Sequence, residues 1–242
     1  MPTKKTVRRS KKLPLLSVVM PVFNERERIV AALEQVHQGS YQPIELIVVD
    51  DGSSDGTSTL LKKNRKLIDV LISQPFNQGK GAALRVGIGR ARGEMVIFQD
   101  ADLEYNPQDY AKLVQPILDG RADVVYGSRF IGGEAHRVVY FWHYLANTCI
   151  TLVSNICTNL NLTDIETGYK VFRRDLLQKI SIEERSFGIE PEITAKIARV
   201  HARIYEVGIG YHGRTYEEGK KIGLKDAVRA FYVIAREWLR SQ

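Results

Sequence analysis

Short apolar runs alternate with longer amphipathic stretches from residue 15 to residue 127. The runs are "LSVVMPV" (16–22), "IELIVVD" (44–50), "VLISQ" (70–74), "EMVIFQD" (94–100) and "ADVVYG" (122–127). Each is too short for a core helix and rich in Val and Ile, so each predicts a strand. Residues 25–38, 55–66, 80–92 and 107–119 carry apolar positions at helical period. Strand and helix in strict alternation predict βαβ units and a parallel sheet. The runs lack clean in–out alternation, as expected when helices cover both faces. Pro107 falls at the first turn of its helix, where its missing N–H is harmless, and Asp55 is placed to cap the helix that follows it.

Beyond residue 130 the pattern loosens. Residues 138–158, "VVYFWHYLANTCITLVSNICT", predict one or two helices whose apolar face is broken by His143, Asn147 and Asn155. Such a helix either covers the sheet or lies on a lipid surface. Residues 167–177 predict a short strand and then a helix. Residues 188–201 predict a helix with Ile193, Ile197 and Val200 on one face, and "ARIYEVGIGYH" (202–212) predicts a strand. A closing helix over 224–240 has an apolar stripe of Leu224, Ala227, Val228, Phe231, Ile234, Ala235 and Trp238, with Lys225, Arg229, Arg236 and Arg240 around it. It suits lipid or its own domain equally well. The expected fold class is α/β: a Rossmann-like, mostly parallel sheet with helices on both faces and a C-terminal amphipathic helix. The expected divisions are a basic disordered tail (1–14), one domain (15–223) and that helix (224–242).

Charge changes this picture at one end only. The net charge is +7 over 242 residues, and Lys4, Lys5, Arg8, Arg9, Lys11 and Lys12 supply six of those positives before residue 13. The remainder is nearly neutral. A solvated tail is the simplest reading, and attraction to an anionic membrane at about 1 kcal/mol per basic residue is the sharper one. No basic stripe interleaved with aromatics marks a nucleic-acid site. Two prolines and "NERER" argue against a secretory signal in "LPLLSVVMPVF", and no eighteen-residue apolar run predicts a membrane span. Cys149 and Cys157, about 12 Å apart along one helix, are too distant to bridge. A reducing cytosol fits.

The candidate chemistry gathers where strands end. Ligands of open α/β sheets sit beyond the carboxyl ends of the strands. Asp50 and Asp51 close one run, Asp100 and Asp102 another, and Ser128 and Arg129 follow a third. Acids at alternate positions repel unless a cation joins them. Hard oxygen donors suit Mg²⁺ or Mn²⁺, which keep open positions for water and phosphate oxygens. "NQGKGAAL" (77–84) is a glycine loop opening a helix, with Lys80 available to a phosphate. "PVFNERE" after the first strand is not a G-x-G-x-x-G turn, so a dinucleotide cofactor is not expected.

Seven segments in fixed order, "VVMPVFNE", "VVDDGSSDGT", "NQGKGAA", "FQDADLEYNP", "VVYGSRF", "DIETGYKVFRR" and "GRTYEEGKKIGLKD", carry a resemblance over about residues 15 to 225. The chain resembles the family 2 glycosyltransferases of GT-A fold, and within them the dolichol-phosphate mannose synthase group, which includes bacterial polyprenyl-phosphate glucosyl- and mannosyltransferases. The resemblance implies an inverting hexosyltransferase that takes mannose or glucose from GDP-mannose or UDP-glucose to a polyprenyl or dolichyl monophosphate, using Mg²⁺ or Mn²⁺. It implies that Pro21, Phe23, Glu25, Asp50, Asp51, Lys80, Asp100 and Ala101 surround the nucleotide sugar, and that Asp100, Asp102 and Glu104 face the ion. Glu104 stands where some relatives carry Gln. Asp102, Arg129, Arg214 and Lys220, with Lys221 beside it, form the expected catalytic set. A monophosphate acceptor with a second pKa of roughly 6 is mostly dianionic at neutral pH and needs no strong base. The expected setting is the cytoplasmic membrane face, held peripherally, with an integral-membrane partner possible and no nucleic acid. Two alternatives stay open: transfer to a sugar, protein or small-molecule hydroxyl, with Asp102, Glu104 or Asp164 as base, and a non-catalytic nucleotide-sugar-binding subunit.

Overall fold

A computed structural model of the chain describes residues 13–132, 137–138, 140–213 and 224–241. Most of the basic tail, and Arg214, Lys220 and Lys221, lie outside the described residues. Seven strands, β1 (Leu16–Val22), β2 (Ile44–Asp50), β3 (Val70–Ser73), β4 (Met95–Phe98), β5 (Val124–Ser128), β6 (Lys170–Arg173) and β7 (Ile204–Gly208), form one sheet in the order β3-β2-β1-β4-β6-β5-β7. β6 runs antiparallel to β4 and β5, and every other pairing is parallel. The helices are α1 (Ile29–His37), α2 (Thr57–Lys63), α3 (Lys80–Ile88), α4 (Tyr110–Leu118), α5 (Phe141–Thr158), α6 (Arg174–Leu177), α7 (Ile189–Arg199) and α8 (Leu224–Leu239).

Two cores follow from the pleat. Val18, Met20 and Val22 of β1 point to one face and pack with Leu33 and Val36 of α1 and Leu113 of α4. Val19 points to the other face and joins Ile47 and Val49 of β2, Leu84 of α3, and Ile189 and Ile193 of α7. The expected fold class therefore holds, with helices on both faces of a mostly parallel sheet. The helical period overruns its helices. Over 25–38 the regular helix starts only at Ile29, because Glu25 first closes a turn by accepting the N–H groups of Arg28 and Ile29. The apolar run 94–100 leaves the sheet early. Phe98 is level with Val19, Gln99 N–H donates to the Val19 carbonyl at 3.0 Å, and the chain turns away before Asp100.

The two long C-terminal helices are patterned differently from expectation. α5 turns Asn147, Ile150, Thr151 and Ser154 inward, while Phe141, Trp142, Leu152 and Ile156 stay exposed. Polar residues face in because they hold the loop before β6. Asn155 both donates to and accepts from the backbone of Leu162, and Asn147 accepts from the Arg129 guanidinium. α8 docks on the domain through Ala230, Val233, Ile234 and Glu237. Its arginines are not lipid-facing as a set: Arg229 and Arg236 pair with the buried Glu184, and Arg236 also reaches Glu192 and Glu237. Val228, Phe231 and Trp238 from the predicted stripe remain exposed. Cys149 and Cys157 both lie on α5 and are unpaired.

α3 lies close on the sheet because Gly87 has no side chain. A Cβ there would stand 2.3 Å from Val19 Cγ1, itself in the core. Gly87→Val is expected to destabilise the protein by about 1–3 kcal/mol through overpacking, read as a lower urea midpoint. An unchanged midpoint would show that α3 can shift freely.

Candidate active site

The carboxyl ends of β1, β2, β4 and β5 lie at one edge of the sheet, and antiparallel β6 starts at that same edge. The loop from Asn159 to Tyr169 is thereby delivered to the place where Asp50, Asp100 and Arg129 leave their strands. After β4 the chain makes a tight turn with Leu103 at φ 65°, a left-handed conformation unfavourable for a residue with a side chain. Ala101 is buried beneath it, and the half-buried Asp100 and Asp102 flank it. Asp102 Oδ1 accepts the Glu104 N–H at 3.1 Å. A tyrosine layer supports the turn. Gln99 Oε1 accepts from Tyr110 and Tyr169, each at 2.6 Å, and Tyr105 stacks on Tyr169 with ring centroids 4.6 Å apart.

Asp100 is already paired with a cation. Lys80 Nζ lies 3.0 Å from each Asp100 carboxylate oxygen and 3.3 Å from Glu190 Oε1. On the other side Gly168 presses against Asp100: a Cβ at Gly168 would stand 2.5 Å from Oδ2 and 2.9 Å from the Tyr105 ring. The glycine loop before α3 packs against the protein's own backbone. Gly81 N–H donates to the Arg185 carbonyl at 2.8 Å, and a Cβ on Gly79, at φ +98°, would stand 2.1 Å from that oxygen. The glycines serve close backbone approach, and the N–H groups of Gly81 and Ala82 are spent on the Arg185 carbonyl.

The other acids divide similarly. Asp50 accepts from Ser53 N–H at 3.1 Å and from the Ser58 hydroxyl, so it holds its own loop. Asp51 accepts from Gln78 N–H at 2.9 Å and Gly79 N–H at 2.7 Å, tying β2 to the glycine loop. Burial raises its pKa despite those donors. Asp55 accepts the Thr57 N–H at 3.0 Å from one residue before the N-cap, which is Gly56. Glu104 accepts from the Tyr211 hydroxyl at 2.8 Å. Among the described residues no three acidic, histidine or cysteine side chains gather as a metal centre. Asp100 and Asp102 alone are a fitting donor pair for Mg²⁺ or Mn²⁺, leaving most positions to water and ligand oxygens. Pro21 and Phe23 are half-buried where β1 ends, and Glu25 is buried beyond them, its N–H donating to Thr57 Oγ1 at 3.0 Å.

Arg129 is clamped. Its Nε and Nη2 donate to the two oxygens of the fully buried Asp164 at 2.6 and 2.7 Å, Nη2 also donates to Asn147, and the guanidinium lies 5.2 Å from the Tyr211 ring centroid. The expectation that put Arg129 in the catalytic set did not include this bidentate partner.

Residues 17–181 match the family model described as Glycosyl transferase family 2. The chain belongs to that family. It is 30% identical over 233 residues to the undecaprenyl-phosphate 4-deoxy-4-formamido-L-arabinose transferase of Aeromonas hydrophila, covering 91% of this chain and 66% of the relative. It is 28% identical over 231 residues to the polyprenol monophosphomannose synthase of Mycolicibacterium smegmatis, covering 91% of this chain and 85% of that one. The glucosyl-3-phosphoglycerate synthase of Mycobacterium tuberculosis, solved with Mn²⁺, UDP and glucosyl-3-phosphoglycerate, superposes with a TM-score of 0.71 at 21% identity, over 93% of this chain and 80% of that one. At that identity the likeness shows the fold, which is GT-A.

Three charged residues at the site of this family 2 glycosyltransferase were not anticipated from the sequence. Lys170 is fully buried, donates to the carbonyls of Ile165 (2.9 Å) and Thr167, and pairs with Glu190. Glu190 lies between Lys170 and Lys80. Glu166 keeps a buried Oε1 without a hydrogen-bond partner. Signals existed: Lys170 interrupts the apolar run 169–172, and Glu190 falls three and seven residues before Ile193 and Ile197, on their apolar face. Burial, then repulsion from Glu190, pushes the Glu166 pKa up to about 7, against Lys170 and Arg129. The folded protein therefore holds this proton over a range where the unfolded chain has lost it. The stabilising contribution is complete below the unfolded value of 4.5 and is lost as pH rises through about 7. Glu166→Gln is expected to remove a loss on the order of 2 kcal/mol between about pH 5 and pH 8. Urea unfolding of both proteins across that range measures it, and parallel curves would refute it.

Proposed function

We propose that this protein moves a hexose, mannose or glucose, from GDP-mannose or UDP-glucose to a polyprenyl monophosphate, with inversion at C1 and with Mg²⁺ or Mn²⁺ bound. The reading is carried by one observation: the half-buried pair Asp100 and Asp102 leaves β4 at the strand-end edge, with Lys80 against the first carboxylate. The relatives named above as undecaprenyl-phosphate and polyprenol transferases support the acceptor class. When bound, the cation would offset the charge that develops on a departing nucleoside diphosphate. The chain's own residues do the rest. Asp100 and Asp102 hold the cation, Lys80 supplies a positive charge beside it, and Arg129, fixed by Asp164, adds a second positive potential to an edge that receives two anionic substrates. Pro21, Phe23, Glu25, Asp50, Asp51 and Ala101 shape the nucleotide side, and the catalytic role proposed for Arg214 and Lys220, which lie outside the described residues, rests on the family resemblance. A dianionic acceptor attacks without surrendering a proton.

Peripheral attachment to the cytoplasmic membrane face fits the exposed apolar residues. Among the described residues no helix is long and apolar enough to cross a membrane. α5 exposes Phe141 and Trp142, and the same end of that helix touches the site, with Tyr144 against Phe130 (ring centroids 5.3 Å apart) and Asn147 on Arg129. Aromatic residues beside a charged site suit a lipid whose phosphate enters first.

One observation favours a hydroxyl acceptor as the second reading. Glu166, with an unpartnered oxygen and a pKa raised to about 7, is the form of carboxylate that takes a proton near neutral pH. Of the three acids expected as base, Asp164 and Glu104 are engaged by Arg129 and Tyr211, and Asp102 is assigned to the cation.

The test is incorporation of label from a panel of nucleotide sugars, with Mn²⁺ and polyprenyl phosphate in vesicles. Label is expected in the organic phase, and Asp102→Ala is expected to lower transfer by a factor of about 10³ or more while leaving the thermal transition in place. Label appearing only on water-soluble hydroxyl acceptors would replace the first reading with the second. Wild-type turnover by Asp102→Ala would remove the carboxylate pair from the mechanism.

A further inference from the structure

Four charges of alternating sign run inward from the candidate cation site: Asp100, Lys80, Glu190 and Lys170. Lys170 is fully buried and its ammonium lies 4.9 Å from the Tyr126 ring centroid. Glu190 is buried too, and its two oxygens serve the two lysines separately, Oε1 towards Lys80 and Oε2 towards Lys170. The chain of four is electrically neutral. Lys80 cannot swing out to water without leaving Glu190, so its charge is tethered within reach of Asp100. A divalent cation arriving alone at Asp100 meets that charge at a carboxylate Lys80 already grips on both oxygens. Like charges so close, partly shielded from water, oppose each other strongly. A nucleoside diphosphate brings negative oxygens that can satisfy both cations at once.

We propose that Lys80 makes cation binding conditional on the donor: it holds Asp100 until a nucleoside diphosphate arrives, so that cation and nucleotide enter as a set. Lys80 is thus a positioning residue that rejects the bare ion, and Glu190 with Lys170 keeps it in place. The inference rests on the reading of Asp100 as a cation ligand given under the proposed function. Its consequence is reciprocal: the cation tightens nucleotide by the factor by which nucleotide tightens the cation.

The test titrates Mn²⁺ into the full chain and follows the free ion by electron paramagnetic resonance, alone and with UDP or GDP, corrected for the Mn²⁺–nucleotide complex in solution. Wild type is expected to bind Mn²⁺ weakly alone and roughly tenfold or more tightly with one of the nucleotides. Lys80→Met is expected to bind Mn²⁺ alone about tenfold tighter than wild type, with the nucleotide effect reduced by a similar factor. Lys80→Gln, which keeps hydrogen bonds without the charge, is read in the same way should Lys80→Met not fold, and Lys80→Arg is expected to restore the wild-type pattern. Unchanged or weaker Mn²⁺ binding by the neutral variants overturns this inference and leaves the proposed function standing. Wild type that binds no Mn²⁺ with either nucleotide overturns both.

Discussion

Lys170 carries a full charge into the interior, and the site is built around the need to satisfy it. Removing an ammonium from water costs several kcal/mol even after relaxation. The compensation comes from three directions: the carbonyls of Ile165 and Thr167 on its own loop, Glu190 on α7, and the face of Tyr126 on β5. Those contacts fix the loop before β6, and Gly168, one residue past Thr167, presses on Asp100. They also fix Glu190, which in turn holds Lys80. A single buried cation therefore links the loop before β6, α7, α3 and the turn after β4, the four pieces that surround the carboxylate pair. Polar satisfaction, rather than apolar packing alone, sets the geometry there.

The same requirement explains why α5 is turned with polar residues inward. A helix over a sheet would ordinarily bury its aliphatic stripe. Here Asn147, Thr151 and Asn155 face the loop that carries Asp164 and Glu166, and each has a backbone or side-chain partner in or beside it. The apolar residues Phe141, Trp142, Leu152 and Ile156 are then left exposed to solvent. α8 is the contrast. Its arginines pair with buried glutamates at Glu184, Glu192 and Glu237, so their charge is consumed within the protein.

The five parallel strands that precede α5 or lie beneath it were legible because Val/Ile runs separated by helical periods admit few other readings. The place of Asp100 and Asp102 was legible for the same reason, since a strand end is a position the pattern marks. Strand direction was not. "KVFR" is four residues long and says nothing of its sense, yet its antiparallel course is what delivers Asp164, Glu166 and Gly168 to the edge. Partnership was not legible either. Nothing beside Lys80 in the chain announces Glu190, and nothing beside Gly81 announces the Arg185 carbonyl it meets; both come from a segment a hundred positions away. Long-range ion pairs leave little trace in a single sequence, apart from a charge in an apolar stripe such as Glu190 or Lys170.

Lys80 and Arg129, two cations of the candidate site among the described residues, differ in what they can give up. Arg129 is locked by geometry as well as charge: a bidentate grip on Asp164, a third bond to Asn147 and a ring on its face. Pulling it towards a ligand would leave Asp164 as a buried, unpaired carboxylate, a loss of about 3–5 kcal/mol, more than one new phosphate contact returns. Lys80 is a point charge with three rotating donors, shared between two carboxylates. If it releases Asp100 it still keeps Glu190, so no charge is stranded. Charge that must move during a cycle is therefore best placed on Lys80, and charge that must stay is best placed on Arg129. That division follows from one side chain being held by a bidentate carboxylate, an amide and a ring, and the other by two carboxylates.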